Sequence, residues 1–380
     1  MSWKVVDRMT LYRDSVFSTL APNITRSPSG DLLLFFLRAP FHGYPHHNHP
    51  LFRVISRRSS DDGQSWSEDA LVTANPYGGA MDFAVRSLPD GSMLLASGGV
   101  ELHPADALSD TAQPHGRQWV SRYGKPFWTR SVDDGYTWSS PVRFPPVPDA
   151  VWGYPAQHSG VCRSGILILP DGRLLLPGKA TDTTSEFRYF GTLRVSNDNG
   201  ETWEYGGRIC EDPVAHFSEP TIHRTPNGRI IVLYRCHPGT LGPEIVRRQG
   251  FRGSMITDSQ FESRLLVIVT SDDDGRTWSP WQPTKIHGSP GHMLGLRDGR
   301  IFLTVGTRWA GQRGCIARVV EPEGGDLDSA EQLIIQADAA SPDCGYPWSV
   351  ELQDGRVLVV YWHHYDNNDR GVEGAVVEEV

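Results

Sequence analysis

The sequence predicts an all-β fold, a six-bladed β-propeller closed by its N-terminal strand, and three observations support it. Six tight polar-Gly turns each join two strand-like runs, a second motif, Ser-x-Asp-x-Gly-x-Ser/Thr-Trp, occurs four times, and the two repeats alternate along the chain. The 39 Gly, 28 Pro and 12 Trp among 380 residues suit many turns and aromatic-anchored strands, and no long window places apolar residues at helical spacing.

The turns are Ser29-Gly30, Asp90-Gly91, Asp171-Gly172, Asn227-Gly228, Asp298-Gly299 and Asp354-Gly355, followed by apolar runs such as Leu32 to Phe36, Ile230 to Tyr234 and Val357 to Tyr361. A polar residue before Gly favours the positive φ of a hairpin turn. The second motif, an Asp box, spans Ser59 to Trp66, Ser131 to Trp138, Ser196 to Trp203 and Ser271 to Trp278. Its Asp and Ser/Thr bond turn backbone while the Trp packs between strands, which makes it a folding device. One box follows each of the first four turns, and after Gly299 only a degenerate Glu323-Gly-Gly-Asp326 remains. After Gly355 there are 25 residues, enough for two strands but not three, so Trp3 to Met9 is expected to supply the missing outer strand. Six such units around an axis leave only short, protected edges; a pair of β-sandwiches is the competing architecture. Residues 1–380 form a single domain on this reading.

A net charge of -9 argues against nucleic acid or an anionic membrane as the main partner. The stretch Met1 to Met9 has no apolar run of signal length, and nothing later approaches a membrane span, so a soluble, cytoplasmic protein is expected. Five scattered cysteines without a C-x-x-C pair suit a reducing compartment. Neither a catalytic thiol nor a cofactor is expected.

In a propeller, the starts of inner strands and the ends of second strands share one mouth of the central channel, and the Asp boxes lie at the other end. Nine residues before each turn Gly stand Ala21, Asp82, Arg163, Glu219, Pro290 and Tyr346, with His292 two residues beyond Pro290. Seven to nine residues after the turns come Lys179, Arg235, Arg308, Arg38 and the pair His363, His364. Cations gathered around one Glu and one Tyr in an acidic chain suit an anionic ligand; polar residues facing a water-filled channel are the alternative. Three long connections, 39–51, 98–126 and 237–262, leave the same mouth and are expected to be binding or lid elements. The first holds His42, His46, His47 and His49, a run without an established zinc spacing or an internal carboxylate. General acid/base work or substrate hydrogen bonding is therefore expected of it ahead of metal binding.

These residues resemble the sialidase (neuraminidase) superfamily of six-bladed propellers with Asp boxes, over essentially the whole chain. Ser218-Glu219-Pro220 running to Asn227-Gly228 and Arg235 is similar to the segment with that family's glutamate and a substrate-carboxylate arginine. Gly345-Tyr346 running to Asp354-Gly355 is similar to the segment with its catalytic tyrosine. The resemblance implies Tyr346 as nucleophile, a neutral group that avoids repulsion from a carboxylate on the attacked anomeric carbon. It implies Glu219 as the base of Tyr346, and Arg235 with Arg308 as the clamp on the substrate carboxylate. Two positions depart from the family. Thr19-Leu20-Ala21-Pro22 stands where the family has Phe-Arg-Ile-Pro, so Leu20 replaces the first clamp arginine, and the acid/base aspartate falls at Asn48. Arg38 or Arg163 is expected to restore the third cation, and His47 or His49 to transfer the proton. Asp82 and His292 complete the expected substrate-binding set. The expected activity is exo-acting glycoside hydrolysis that removes a terminal acidic sugar, sialic acid or a related keto-sugar acid, from an acidic glycan. A uronate-directed lyase or glycosidase using His and Tyr346 is one alternative, and a non-catalytic glycan-binding propeller is another.

Overall fold

The computed structural model describes residues 2–40, 49–73, 75, 78–107, 113–115, 118–150, 163–182, 189–213, 215–237, 265–366 and 369–380. The six turns form as their chemistry dictates. Each turn Gly donates its N–H to a carbonyl three residues back, as in Gly30 to Ser27 at 3.0 Å and Gly355 to Leu352 at 3.1 Å. Their φ angles lie between 82° and 100°, a region that Gly enters without steric cost. Asp90, Asp171, Asn227, Asp298 and Asp354 each accept the N–H two residues on.

Among the described residues the strands form six sheets, five of four strands and one of five. Their inner strands are Phe17–Arg26, Gly78–Ser87, Leu167–Ile168, His216–Arg224, Gly291–Gly295 and Gly345–Glu351, in blades 1 to 6. The chain is an all-β six-bladed propeller, and the N-terminal strand closes it. That strand, Trp3–Arg13, pairs antiparallel with Arg370–Glu379 and runs four residues beyond the predicted Met9. Apolar side chains fill the space between neighbouring blades: Leu33, Phe35 and Leu37 of blade 1 share a cluster with Phe83, Val85, Met93 and Leu95 of blade 2.

The Asp boxes repeat one set of bonds. Ser59 Oγ donates to Asp61 at 2.8 Å and accepts the Gly63 N–H at 2.8 Å, while Asp61 accepts the Ser65 N–H at 2.9 Å. Asp133, Asp198 and Asp273 accept the equivalent Thr N–H groups. The Ser65, Thr137 and Thr277 hydroxyls, helped by these N–H groups, hold the Asp61, Asp133 and Asp273 carboxyls down to about 2. In the degenerate fifth copy, Asp326 still accepts the Glu321 N–H at 2.8 Å.

The connection 98–126 differs from the expected loop. Strands Met93–Pro104 and Trp119–Ser131 stay paired out to Pro104 opposite Trp119, because continuing the ladder satisfies backbone groups that a loop would leave to water. Most of the other two connections lies outside the described residues. No helix among the described residues is long and apolar enough to cross a membrane. Cys210, Cys236, Cys315 and Cys344 are buried free thiols.

Candidate active site

Four of the six positions nine residues before a turn Gly share an uncommon backbone. Ala21, Asp82, Glu219 and Tyr346 have φ of 49°, 25°, 47° and 51°, each at a register shift between inner strand and partner. A left-handed non-Gly residue costs about 1–2 kcal/mol, and such bulges re-aim a side chain. Strain of this kind gathers where function over-determines the geometry. Gly345 allows it at Tyr346: a Cβ there would lie 2.6 Å from the Gly314 carbonyl oxygen and 3.2 Å from Gly306 Cα.

The Tyr346 hydroxyl donates to Glu219 Oε1 at 2.5 Å, and Arg235 donates to Glu219 Oε2 at 2.5 Å. Arg235 pairs across the strand with Ser218, so this ion pair forms within blade 4. Tyr346 comes from blade 6 and is therefore joined to Glu219 only by closure of the ring. Burial alone would raise the Glu219 carboxyl, but Arg235, Lys179 and the Tyr346 hydroxyl outweigh it and hold the carboxyl well below its usual range. Burial and the Glu219 anion push the Tyr346 phenol well above its ordinary value. Near neutrality the pair is thus a phenol hydrogen-bonded to a carboxylate, the arrangement of a nucleophile with its base.

Two guanidiniums flank the tyrosine. Arg308 lies 4.8 Å and Arg163 5.3 Å from the Tyr346 ring centroid, and Arg163 is also 5.2 Å from that of Trp348. Arg163 is 1% exposed, and its Nε and Nη2 have no hydrogen-bond partner among the described residues. Burial lowers its pKa to about 10 against the attraction of Asp82, Tyr346 and Glu219, so it remains a cation near neutrality. Asp82 acts on Arg163 and Tyr346 through its charge.

The expected residues separate into two groups. Tyr346, Glu219, Arg235, Arg308, Arg163 and Asp82 come together. Arg38 does not join them: its guanidinium is ion-paired with Asp69, which also binds Arg57, and stacks 4.6 Å from the Phe17 ring. His292 stacks on Trp348 at 3.9 Å with its Nδ1 3.1 Å from Ser349 Oγ, and lines a cavity deeper in the channel. His49 accepts the Leu51 N–H at Nδ1, 3.2 Å away, and packs edge-on to Phe52. His47 and Asn48 lie outside the described residues. Leu20 and Ala21 belong to the same apolar cluster as Tyr346, so the first blade presents hydrocarbon where the resemblance places an arginine.

Three supporting residues stand outside the expected site set. Lys179, counted only as a mouth cation, is among the charges that hold Glu219 ionised. Trp362 meets the Tyr346 ring edge-on at 5.9 Å, and Arg370 lies 5.0 Å from the Trp362 ring while pairing with Asp343 at 3.1 Å. Arg370 carries no turn or repeat signal that would have marked it. No cluster of three or more His, Cys, Asp or Glu placed to hold a metal occurs among the described residues.

The deep histidines predict acid sensitivity. Burial, with help from Arg86, lowers His223 to about 4, and burial with Arg163, Arg86 and His223 pushes His292 well below its ordinary value. Both fold as neutral rings, whereas the unfolded chain takes up protons below about 6.5. Stability is therefore expected to be full above that pH and to fall between about 6.5 and 4, by up to about 3 kcal/mol for His223 alone. Urea midpoints across this range check it, and His223→Gln should flatten the slope.

The sequence profile of the BNR repeat-like domain matches residues 108–359. Two curated relatives are sialidases. That of Clostridium perfringens is 25% identical over 170 residues, 43% of this chain and 42% of that protein. That of Paraclostridium sordellii is 21% identical over 339 residues, 83% of this chain and 74% of that protein. The chain thus spans less than half the length of the first and about three quarters of the second. Among solved structures, a protein of unknown function from Dyadobacter fermentans is 26% identical with a TM-score of 0.84, covering 100% of this chain and 99% of its own. The NanB sialidase of Streptococcus pneumoniae is 14% identical with a TM-score of 0.61, covering 98% of this chain and 70% of its own. A Trypanosoma rangeli sialidase bound to the inhibitor DANA is 14% identical with a TM-score of 0.61, covering 98% and 58%. The last two likenesses show a shared sialidase-type propeller fold.

Proposed function

Because the chain belongs to the BNR repeat-like domain family, we propose that it is an exo-acting glycoside hydrolase that removes a terminal acidic sugar, sialic acid or a related keto-sugar acid, from an acidic glycan. The observation behind this reading is the buried chain Tyr346–Glu219–Arg235 with both bonds at 2.5 Å, flanked by the cations Arg163 and Arg308. A carboxylate-bearing sugar matches the surplus of positive charge.

In the proposed reaction the Tyr346 oxygen attacks the anomeric carbon while its proton passes to Glu219 Oε1. The bond to the leaving oxygen breaks, and that oxygen takes a proton from a histidine of the 42–49 stretch, His47 or His49. The donor must be the imidazolium, so His49 would act only after its Nδ1, which accepts the Leu51 N–H in the structure, has released that bond and taken up a proton. Water, giving a proton to the same histidine, then attacks the anomeric carbon of the tyrosyl glycoside, and the Tyr346 oxygen leaves as it takes its proton back from Glu219, which restores the phenol, the carboxylate and the imidazolium. Arg235 Nε has no hydrogen-bond partner among the described residues, and Arg308 and Arg163 complete a three-cation clamp on the carboxylate. With Leu20 apolar and Arg38 held by Asp69, Arg163 is the proposed third member.

Mass-detected turnover across a panel of acidic glycosides, including an aryl sialoside, tests the reading. A released free sugar acid supports it. An unsaturated uronate absorbing in the ultraviolet would assign a lyase instead, and tight binding without turnover a glycan-binding module. On a turned-over substrate, Arg163→Met is expected to raise KM by roughly ten- to a hundredfold, with a smaller loss in kcat.

A further inference from the structure

The channel has a second chemistry at the end opposite Tyr346. A cavity of about 720 Å³ is lined there by one segment from the inner strand region of every blade, from Ile24–Arg26 round to Trp348–Glu351. Four of its lining residues are arginines, Arg26, Arg86, Arg224 and Arg297, against the single carboxylate of Glu351. Three of the four have acidic partners: Arg26 with Asp62 at 2.5 Å, Arg224 with Asp274 at 3.3 Å and Arg297 with Glu351 at 3.7 Å. Arg86 differs. Its side chain is exposed to the solvent of the cavity and makes no ion pair with any carboxylate among the described residues. The imidazoles of His223 and His292 line the same cavity, and both feel the Arg86 charge.

We propose that this cavity is a binding site for a tetrahedral oxyanion of the phosphate class, free or as the end group of a small phosphomonoester, held by Arg86 together with His223 and His292, which line the same cavity. A guanidinium without a counter-ion among the described residues, beside two imidazoles that line the same cavity, supplies both charge and hydrogen bonds to such an anion. Low-dielectric walls strengthen the attraction relative to open solvent. The inference goes beyond the hydrolase reading and does not depend on it, since none of these residues belongs to the Tyr346–Glu219 group.

The test is a titration of the full chain, ¹³C-labelled at histidine, with potassium phosphate against potassium chloride at matched ionic strength. His223 and His292 Cε1–H resonances are expected to shift saturably at millimolar phosphate, with a parallel rise in Tm. Arg86→Met should abolish both responses and leave any glycoside turnover unchanged, whereas Tyr346→Phe should leave both responses intact. A glycerol phosphate arm separates the two sources: a tighter response than to inorganic phosphate assigns the monoester, an equal or weaker one the free ion. If wild-type protein responds no more to phosphate than to chloride, or Arg86→Met responds as wild type does, the site is refuted. The wild-type titration decides even if the variant fails to fold.

Discussion

Tyr346→Phe should retain the fold and lose at least about a thousandfold in kcat on any acidic-sugar glycoside the protein turns over. The ring stays packed against Trp362 and beneath Arg308, so the change removes one oxygen and little packing. That oxygen is the only atom of Tyr346 able to form a bond to carbon, and its loss deprives Glu219 Oε1 of its donor. Glu219→Gln should cost about 10²–10⁴-fold, since it keeps the shape and removes the base. Steady-state and single-turnover kinetics on the two variants, with circular dichroism to confirm folding, check both. Near-wild-type turnover by Tyr346→Phe would sink the nucleophile assignment, and with it the glycosidase chemistry.

The largest expected effect on stability follows Arg235→Met. Glu219 is only 6% exposed and has both oxygens bonded, one of them to Arg235. Removing the cation strands a buried carboxylate, which costs about 3–5 kcal/mol. A lower urea midpoint with unchanged slope is the expected signature. Because the penalty comes from the unpaired charge, the Arg235→Met/Glu219→Gln double variant should recover about half of the loss or more. A double variant no more stable than Arg235→Met would mean that Arg235 acts through packing.

Much of this protein is written locally in its chain. A left-handed turn needs Gly next to a residue that can bond its own backbone, and an Asp box closes its bonds within seven residues of sequence. Both are therefore readable without knowing what lies across the fold, and their alternation sets the blade count. Because blades repeat, counting back from each turn Gly also located Tyr346, Glu219, Arg163 and Asp82.

The same counting misplaced Arg38 for a reason of parity. Lys179, Arg235 and Arg308 lie an odd number of residues after their turn Gly and Arg38 an even number, and successive residues of a strand point to opposite faces. Leu37 accordingly packs in the cluster that contains Tyr346, and Arg38 turns to Asp69. His292 was misplaced by depth, since two residues along an inner strand move a side chain roughly 6–7 Å down the channel.

The sequence by itself determined the six turns, the boxes, the closing strand and the level at which polar residues enter the channel, because short-range backbone chemistry repeats from blade to blade. Only the tertiary structure decided that residues 127 apart in sequence share one proton-bearing hydrogen bond. It also decided that four inner strands bulge into left-handed backbone at the same level of the channel. Ring closure sets both, since long-range packing chooses among local conformations that the residues alone leave open.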